Sequence, residues 1–264
     1  MKTIATPVSG WTFQGLNNYF HIFTSSTFWA SLRNIGKIWI IGGAMTMFFA
    51  IVFAVILTGD QFPGKRMFRT IVYLPNVISI IALGNMWLQY VYNAKFGMLT
   101  KLFSTLGMEK LASTVWTAPE HIFIAICIAF AYSKIGYFMM IYISGIERVP
   151  ADIYESAKID GASKLQSFFR ITFPLLKDIH GTVFTLWSIR VVSFFSLSKV
   201  FSRNTSMETI TPMVYAYEAM FGEDFATVDG RVGIAASACV VMSLIIVIMF
   251  SLSQYLTRGE HYEY

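Results

Sequence analysis

Long apolar stretches, each of about twenty residues, alternate along the chain with shorter polar connections. A helix needs about 20 apolar residues to cross the roughly 30 Å hydrocarbon core of a bilayer, and each stretch reaches that length. The pattern therefore predicts an all-α fold, a polytopic bundle of transmembrane helices. The five predicted spans are residues 38–57, 71–91, 122–143, 179–200 and 232–256.

The composition of the 264-residue chain agrees with this interpretation, because 55% of it is hydrophobic and only 13% is charged. A soluble domain carries about 25% charged residues. The composition excludes a nucleic-acid-binding domain, despite the net charge of +5, and also a disulfide scaffold or a disordered chain. The two cysteines, Cys127 and Cys239, lie inside apolar stretches and are predicted to be buried thiols.

The chain lacks the residue patterns of metal, nucleotide and catalytic sites. Its four histidines are scattered without a partner at metal-ligand spacing. It has no Gly-x-x-x-x-Gly-Lys-Ser/Thr motif and no nucleophile beside a base. We therefore predict that the chain is not an enzyme and binds no cofactor of its own.

The Lys and Arg residues of the connections predict how the spans are oriented. Nine lie in loops 58–70 and 144–178 and in the tail 257–264, and eight lie in the remaining connections, which are almost twice as long. The denser set is predicted to be cytoplasmic. Residues 1–37 then form an external or interfacial segment with no helix before them, so we expect a sixth, N-terminal span to be missing. The alternative is an inverted topology.

The loop at residues 147–174 has the local signals of two short helices. Pro150 suits the first helical position, Asp152 the positive end of the helix dipole, and Gly161 a C-terminal cap with positive φ. A second helix is predicted to follow and to end before Pro174. Such a compact element with exposed apolar residues is typical of a docking site.

This loop resembles the EAA loop of binding-protein-dependent ABC importer permeases, whose pattern is Glu-Ala-Ala, three residues, Gly, nine residues, Ile, one residue, Leu-Pro. The chain keeps every spacing, with Ser for the second Ala and Phe for Leu. The resemblance implies that the loop is a coupling helix that binds an ATPase subunit; the alternative is an ordinary amphipathic connection. The residues assigned to ATPase coupling are Glu155, Ser156, Ala157, Asp160, Gly161, Ile171 and Pro174.

The resemblance extends along most of the chain and is strongest to the first permease subunit of maltose-type carbohydrate importers. Its other segments are Phe13 to Phe20 (FQGLNNYF), Arg69 to Asn76 (RTIVYLPN) and the tail from Glu260. It implies a bacterial inner-membrane protein that works with a second permease, a cytoplasmic ATPase dimer holding ATP and Mg²⁺, an external solute-binding protein and a sugar. Two features depart from the family: Ser198 replaces a usual Asp, and residues 202–206 replace a Thr-Gly-Gly-Gly-Pro turn.

Two cations, Lys134 and Arg190, lie near the middle of predicted spans, where each costs at least about 2.5–3.5 kcal/mol unless it meets water or a partner. Lys199 is near enough to a span end to reach the interface. The two central cations either face the second permease or backbone carbonyls, or meet lipid phosphate, or line a path for an acidic sugar. Aromatic residues that either line such a path or pack in the core are Tyr90, Trp187, Phe194 and Phe195.

These observations predict a permease subunit that imports a sugar or oligosaccharide, possibly acidic, by alternating access. A self-contained secondary transporter or channel is the main alternative, although the spans show no clear inverted repeat. A permease for another solute and a membrane scaffold are further alternatives.

Overall fold

The computed structural model describes residues 13–59, 64–202, 206–222 and 232–257. All regular structure in these ranges is helical, which confirms the predicted all-α fold. The helices are α1 (Asn17–Thr24), α2 (Ser26–Thr58), α3 (Lys65–Val77), α4 (Ile80–Val91), α5 (Met98–Thr105), α6 (Glu109–Ala112), α7 (Pro119–Ile146), α8 (Ala151–Ile159), α9 (Lys164–Ser167, Phe168–Thr172 and Phe173–Leu175 in succession), α10 (Lys177–Val192), α11 (Ser196–Phe201), α12 (Pro212–Phe221) and α13 (Val232–Thr257).

Three of these helices, α2, α7 and α13, are long and apolar enough to cross a membrane. They contain the first, third and fifth predicted spans. The first begins earlier than predicted, because α2 starts at Ser26 and runs 33 residues. Part of the predicted N-terminal segment 1–37 is therefore helical, while residues 1–12 lie outside the described part of the chain.

The second predicted span, 71–91, is not one straight helix. α3 and α4 meet at an angle of 100°. Ile78 and Ser79 between them have extended backbone, and Pro75 inside α3 has no N–H to donate to the preceding turn. Because the break leaves backbone groups without helical partners at membrane depth, it has to face protein or water rather than lipid.

The prediction of one continuous span over 179–200 is wrong. α10 ends at Val192, and its 16 residues are about 24 Å long. The carbonyl of Phe194, in the break before α11, accepts a hydrogen bond of 2.8 Å from the Thr211 hydroxyl, which lies 17 residues further along the chain. This distant partner stabilises the break, and hydropathy gives no sign of it.

Helix α7 lies at the centre of the bundle, because neighbouring helices bury most residues of its apolar, membrane-spanning stretch. Gly136 lets it approach α3 so closely that an added Cβ would lie 2.2 Å from the Val72 carbonyl oxygen. Cys127 on α7 is buried as predicted, but Cys239 on α13 is exposed in this chain; both thiols are free. A second, smaller core joins α1 and the start of α2 to α12 and α13.

Candidate functional site

The first helix of the 147–174 loop, α8, begins one residue later than predicted. Pro150 has extended backbone (ψ 138°) and is the N-cap, so Ala151 is the first helical residue. Asp152 lies in the first turn, where its negative charge interacts favourably with the positive end of the helix dipole. Lys158 lies in the last turn, where a positive charge is favourable. Both ends of this short helix therefore carry the charge that stabilises them.

Gly161 ends α8 with φ of 77°, as the sequence predicts. The Gly161 N–H donates to the Lys158 carbonyl (3.1 Å) and the Ala162 N–H to the Ala157 carbonyl (2.9 Å). These two bonds form a Schellman motif. A Cβ on Gly161 would meet nothing within 4 Å, so the glycine is required for its backbone conformation and not for space.

The second helix, α9, begins with a capping box between Ser163 and Gln166. The prediction that it ends before Pro174 is wrong, because helical backbone continues through Pro174 to Leu175. A π-helical turn at Phe168–Thr172 precedes the proline. The wider turn accommodates the missing N–H and the bulk of the proline ring.

Tyr154 of α8 and Thr172 of α9 join the two helices, with their hydroxyl oxygens 3.1 Å apart. The segment buries Ala157 and half-buries Ile171, and it exposes large apolar side chains: Ile159 is 86% exposed and Leu165 68%. The other residues assigned to ATPase coupling lie on the same compact element and are exposed: Glu155, Ser156, Asp160, Gly161 and Pro174.

Two side chains that sequence analysis did not single out connect the 147–174 loop to the bundle. Arg69 on α3 donates from Nη2 to the Glu147 carboxylate (2.9 Å) and to the Leu57 carbonyl at the end of α2 (3.0 Å). His180 on α10 lies 3.1 Å from the Phe173 carbonyl and 3.2 Å from the Tyr142 hydroxyl. Since a carbonyl only accepts, Nε2 of neutral His180 carries the proton and Nδ1 accepts from the tyrosine.

An apolar groove of about 690 Å³ runs between α2 and α9 beside these contacts. Leu165 and three phenylalanines of α9 lie on one wall, and apolar side chains of α2, including Phe48, form the other. The loop thus has an exposed face away from the bundle and a second apolar face toward α2.

The two intramembrane cations lie on α7 and α10, which pack against each other, and Arg190 contacts Tyr137, one helical turn from Lys134. Lys134 Nζ is 3.4 Å from the Asn76 amide oxygen of α3. The Arg190 guanidinium carbon lies 5.4 Å from the centre of the Tyr137 ring. The structure therefore brings together two residues that are 56 positions apart in the sequence.

The four aromatic candidates do not share one surface. Trp187 is 2% exposed and Phe194 4%, and both pack against Phe130 in the core. In this conformation neither lines a passage, in contrast to the path hypothesis. Tyr90 is exposed, and Phe195 is half-buried against Tyr217 beside a cavity of about 410 Å³ between α12 and α13.

Near the end of the fourth predicted span, Lys199 forms an ion pair with Glu218 of α12 rather than only reaching the interface. The Ser198 hydroxyl, at the position of the family's usual Asp, donates to the Thr209 carbonyl. The departure from the family's turn falls largely on residues 203–205, which lie outside the described residues.

Comparison with known proteins identifies the family of this chain. Residues 47–261 match the model of the binding-protein-dependent transport system inner membrane component. The chain is similar to the probable ABC transporter permease YurN of Bacillus subtilis, with 31% identity over 64% of this chain and 58% of that protein. The arabinooligosaccharides transport system permease AraP of Halalkalibacterium halodurans is 28% identical over 93% of this chain and 76% of its own length.

The fold also matches a solved structure. A chain from a bacterial ABC transporter involved in the import of the acidic polysaccharide alginate superposes with a TM-score of 0.79, covering 95% of this chain and 85% of that chain at 20% identity. At that identity the likeness shows the fold alone. The family match covers most of this chain, and its members are transport components rather than enzymes. The chain therefore belongs to the family of binding-protein-dependent transport system inner membrane components.

Proposed function

We propose that the chain is a permease subunit of an ATP-driven importer. Its partners in this proposal are a second permease, a cytoplasmic ATPase dimer that holds ATP and Mg²⁺, and an external solute-binding protein. The observation that carries the proposal is the 147–174 loop. It is a helix, a Schellman turn and a helix that expose Ile159, Leu165 and Phe169 beside the transmembrane bundle. Exposed apolar residues on a rigid surface element are suited to docking.

The contacts of this loop also support coupled motion. Tyr154 and Thr172 join α8 to α9, Arg69 ties the start of the loop to α2 and α3, and His180 ties α9 to α7 and α10. A displacement of the loop by the ATPase would therefore reach four helices of the bundle as a rigid-body movement. That movement would open and close the passage alternately to the two sides.

The proposed topology places the 147–174 loop and the C-terminal tail 257–264 in the cytoplasm. The density of Lys and Arg in loops 58–70 and 144–178 supports this orientation. The external side then carries the connections 92–121 and 201–231, which would receive the solute-binding protein.

The proposed substrate is a sugar or oligosaccharide. AraP, whose name assigns it to arabinooligosaccharides transport, matches nearly the whole length of this chain. The resemblance of the Arg69 to Asn76 segment and of the 147–174 loop to maltose-type permeases points to the same class of substrate.

The test is affinity purification of the full chain in mild detergent from its source cells, with mass spectrometry of the proteins that co-purify. We compare the wild type with Gly161→Val and with a matched control, Gly107→Val. Both glycines have positive φ (77° and 72°) and open surroundings, so both substitutions strain the backbone without a clash. Only Gly161 lies in the 147–174 loop.

We expect the wild type and Gly107→Val to bring down an ATPase and a second permease, and Gly161→Val to lose the ATPase alone. Gly161→Asn should retain it, because Asn tolerates positive φ. A wild-type chain that purifies by itself would contradict the proposal and favour a self-contained transporter or channel. Retention of the ATPase by Gly161→Val would show that docking occurs elsewhere. Uptake of candidate sugars by the reconstituted complex then tests the substrate class.

A further inference from the structure

Two positively charged side chains lie near each other on α7 and α10, because Arg190 of α10 sits over Tyr137, which is one helical turn from Lys134 on α7. Lys134 projects from the middle of α7 to within 3.4 Å of the Asn76 amide oxygen. Arg190 on α10 is exposed, with its guanidinium carbon 5.4 Å from the centre of the Tyr137 ring. Lys134 is half-buried, so neither side chain is enclosed by this chain alone.

Neither charge is neutralised within the part of the chain that the structure describes. The two ion pairs found there are Arg69 with Glu147 and Lys199 with Glu218. The C-terminal end of α3, next to Asn76, supplies a partial charge of only about −0.5, and the Tyr137 ring offers a weak cation–π attraction. Arg190 itself lies in the last turn of α10, whose C-terminal end supplies a similar partial charge. Together these contributions offset about one of the two cations, so the pair keeps a net positive charge that favours an anion from outside this chain.

The depth of Lys134 excludes lipid phosphate as the source of that anion. Lys134 is 15 residues from the start of α7 and 12 from its end, which is about 22 Å and about 18 Å along the helix. Lipid phosphates lie at the two faces of a hydrocarbon core of about 30 Å and are too far away. Arg190 is exposed in this chain, so an anion from outside the chain can reach its guanidinium.

We propose that Lys134 and Arg190 form a binding site for a carboxylate of an acidic sugar, with Asn76 and Tyr137 positioning the two cations. The inference rests on the proposed function and adds the charge class of the substrate. The guanidinium can offer two parallel donors to a carboxylate, and the ammonium adds a second positive charge. A neutral sugar would leave both cations unpaired, so the site discriminates by charge.

The test uses the purified complex with the second permease and the ATPase, in detergent and without the solute-binding protein. The probes are a trisaccharide of uronic acid and its carboxyl-reduced, neutral counterpart, and the readout is the Kd of each. We expect the wild type to bind the acidic probe about tenfold or more tightly than the neutral one. Lys134→Gln and Arg190→Gln should each remove that preference, while Arg66→Gln, which removes an exposed charge from the start of α3, should keep it.

Asn76→Asp separates a binding site from a structural pair. It places a carboxylate next to Lys134, so it should weaken binding of the acidic probe while the complex still assembles. An unchanged Kd for the acidic probe in this variant would overturn the proposal. Equal Kd values for the two probes in an assembled wild-type complex would overturn the proposed carboxylate site but would not contradict the proposed importer function. Loss of the second permease from Lys134→Gln or Arg190→Gln would instead assign the missing anion to that subunit. A wild-type complex that contains no ATPase would contradict both proposals.

Discussion

The indole nitrogen of Trp187 lies 2.7 Å from the position that a Cβ atom on Gly43 would occupy. The same nitrogen donates a 3.0 Å hydrogen bond to the Trp39 carbonyl, so the ring cannot turn away without losing that bond. The contact fixes α10 against the face of α2 that carries Gly42 and Gly43.

Gly43→Ala should therefore destabilise the protein by about 1–3 kcal/mol, the usual cost of overpacking. The control is Gly36→Ala on the same helix, where an added Cβ meets nothing within 4 Å. That change should be neutral or stabilising, because alanine is the better helix former. Thermal unfolding in detergent checks both; equal Tm values for the two variants would contradict the close contact.

Gly136→Ala should be more damaging than Gly43→Ala. Its Cβ would lie 2.2 Å from the Val72 carbonyl oxygen and 2.6 Å from the Tyr73 Cα, and backbone atoms cannot rotate aside. α3 and α7 would have to separate. Gly145→Ala on the same helix meets only side-chain atoms, of Ile179 and Leu176, and should be milder. Yield of monodisperse protein and Tm measure the difference, and a Gly136→Ala variant as stable as Gly145→Ala would count against this packing.

Tyr154 and Thr172 should show positive coupling in a double-mutant cycle. Tyr154→Phe leaves the Thr172 hydroxyl, which is 5% exposed, without this partner and should cost about 1 kcal/mol. Thr172→Val alone removes the same bond. The double variant should cost less than the two single changes together, because neither hydroxyl is then left unpaired. Additive shifts in the free energy of unfolding would show that the hydroxyls do not interact.

Arg69 should matter more than its ion-pair partner Glu147. The pair is partly exposed, so Glu147→Gln should cost at most about 1 kcal/mol and less at high salt. Arg69→Gln also removes the bond to the Leu57 carbonyl, which ends α2, and should cost more. Tm values at low and high salt separate the two contributions. A salt-sensitive loss of the same size in both variants would mean that the carbonyl bond contributes nothing.

The sequence alone determined the features that depend on local rules. Apolar length predicted the all-α membrane class and the three spans that lie within α2, α7 and α13, although not the early start of α2, because burying backbone in lipid needs an unbroken apolar helix. The positive φ of Gly161 followed in the same way, since a helix end between polar residues favours glycine whatever surrounds it.

Contacts between distant residues decided the rest. Hydropathy continues across 179–200, yet the chain breaks before Phe194, where Thr211 supplies a hydrogen bond from another segment. Pro174 predicted a helix end, but the π-helical turn before it lets the helix continue. Lys134 and Arg190 were isolated charges in the sequence, yet packing places Arg190 over Tyr137, one helical turn from Lys134. The hydrophobic pattern of a sequence predicts which residues avoid water. Which distant residues contact each other depends on how the helices pack, and that is seen only in the tertiary structure.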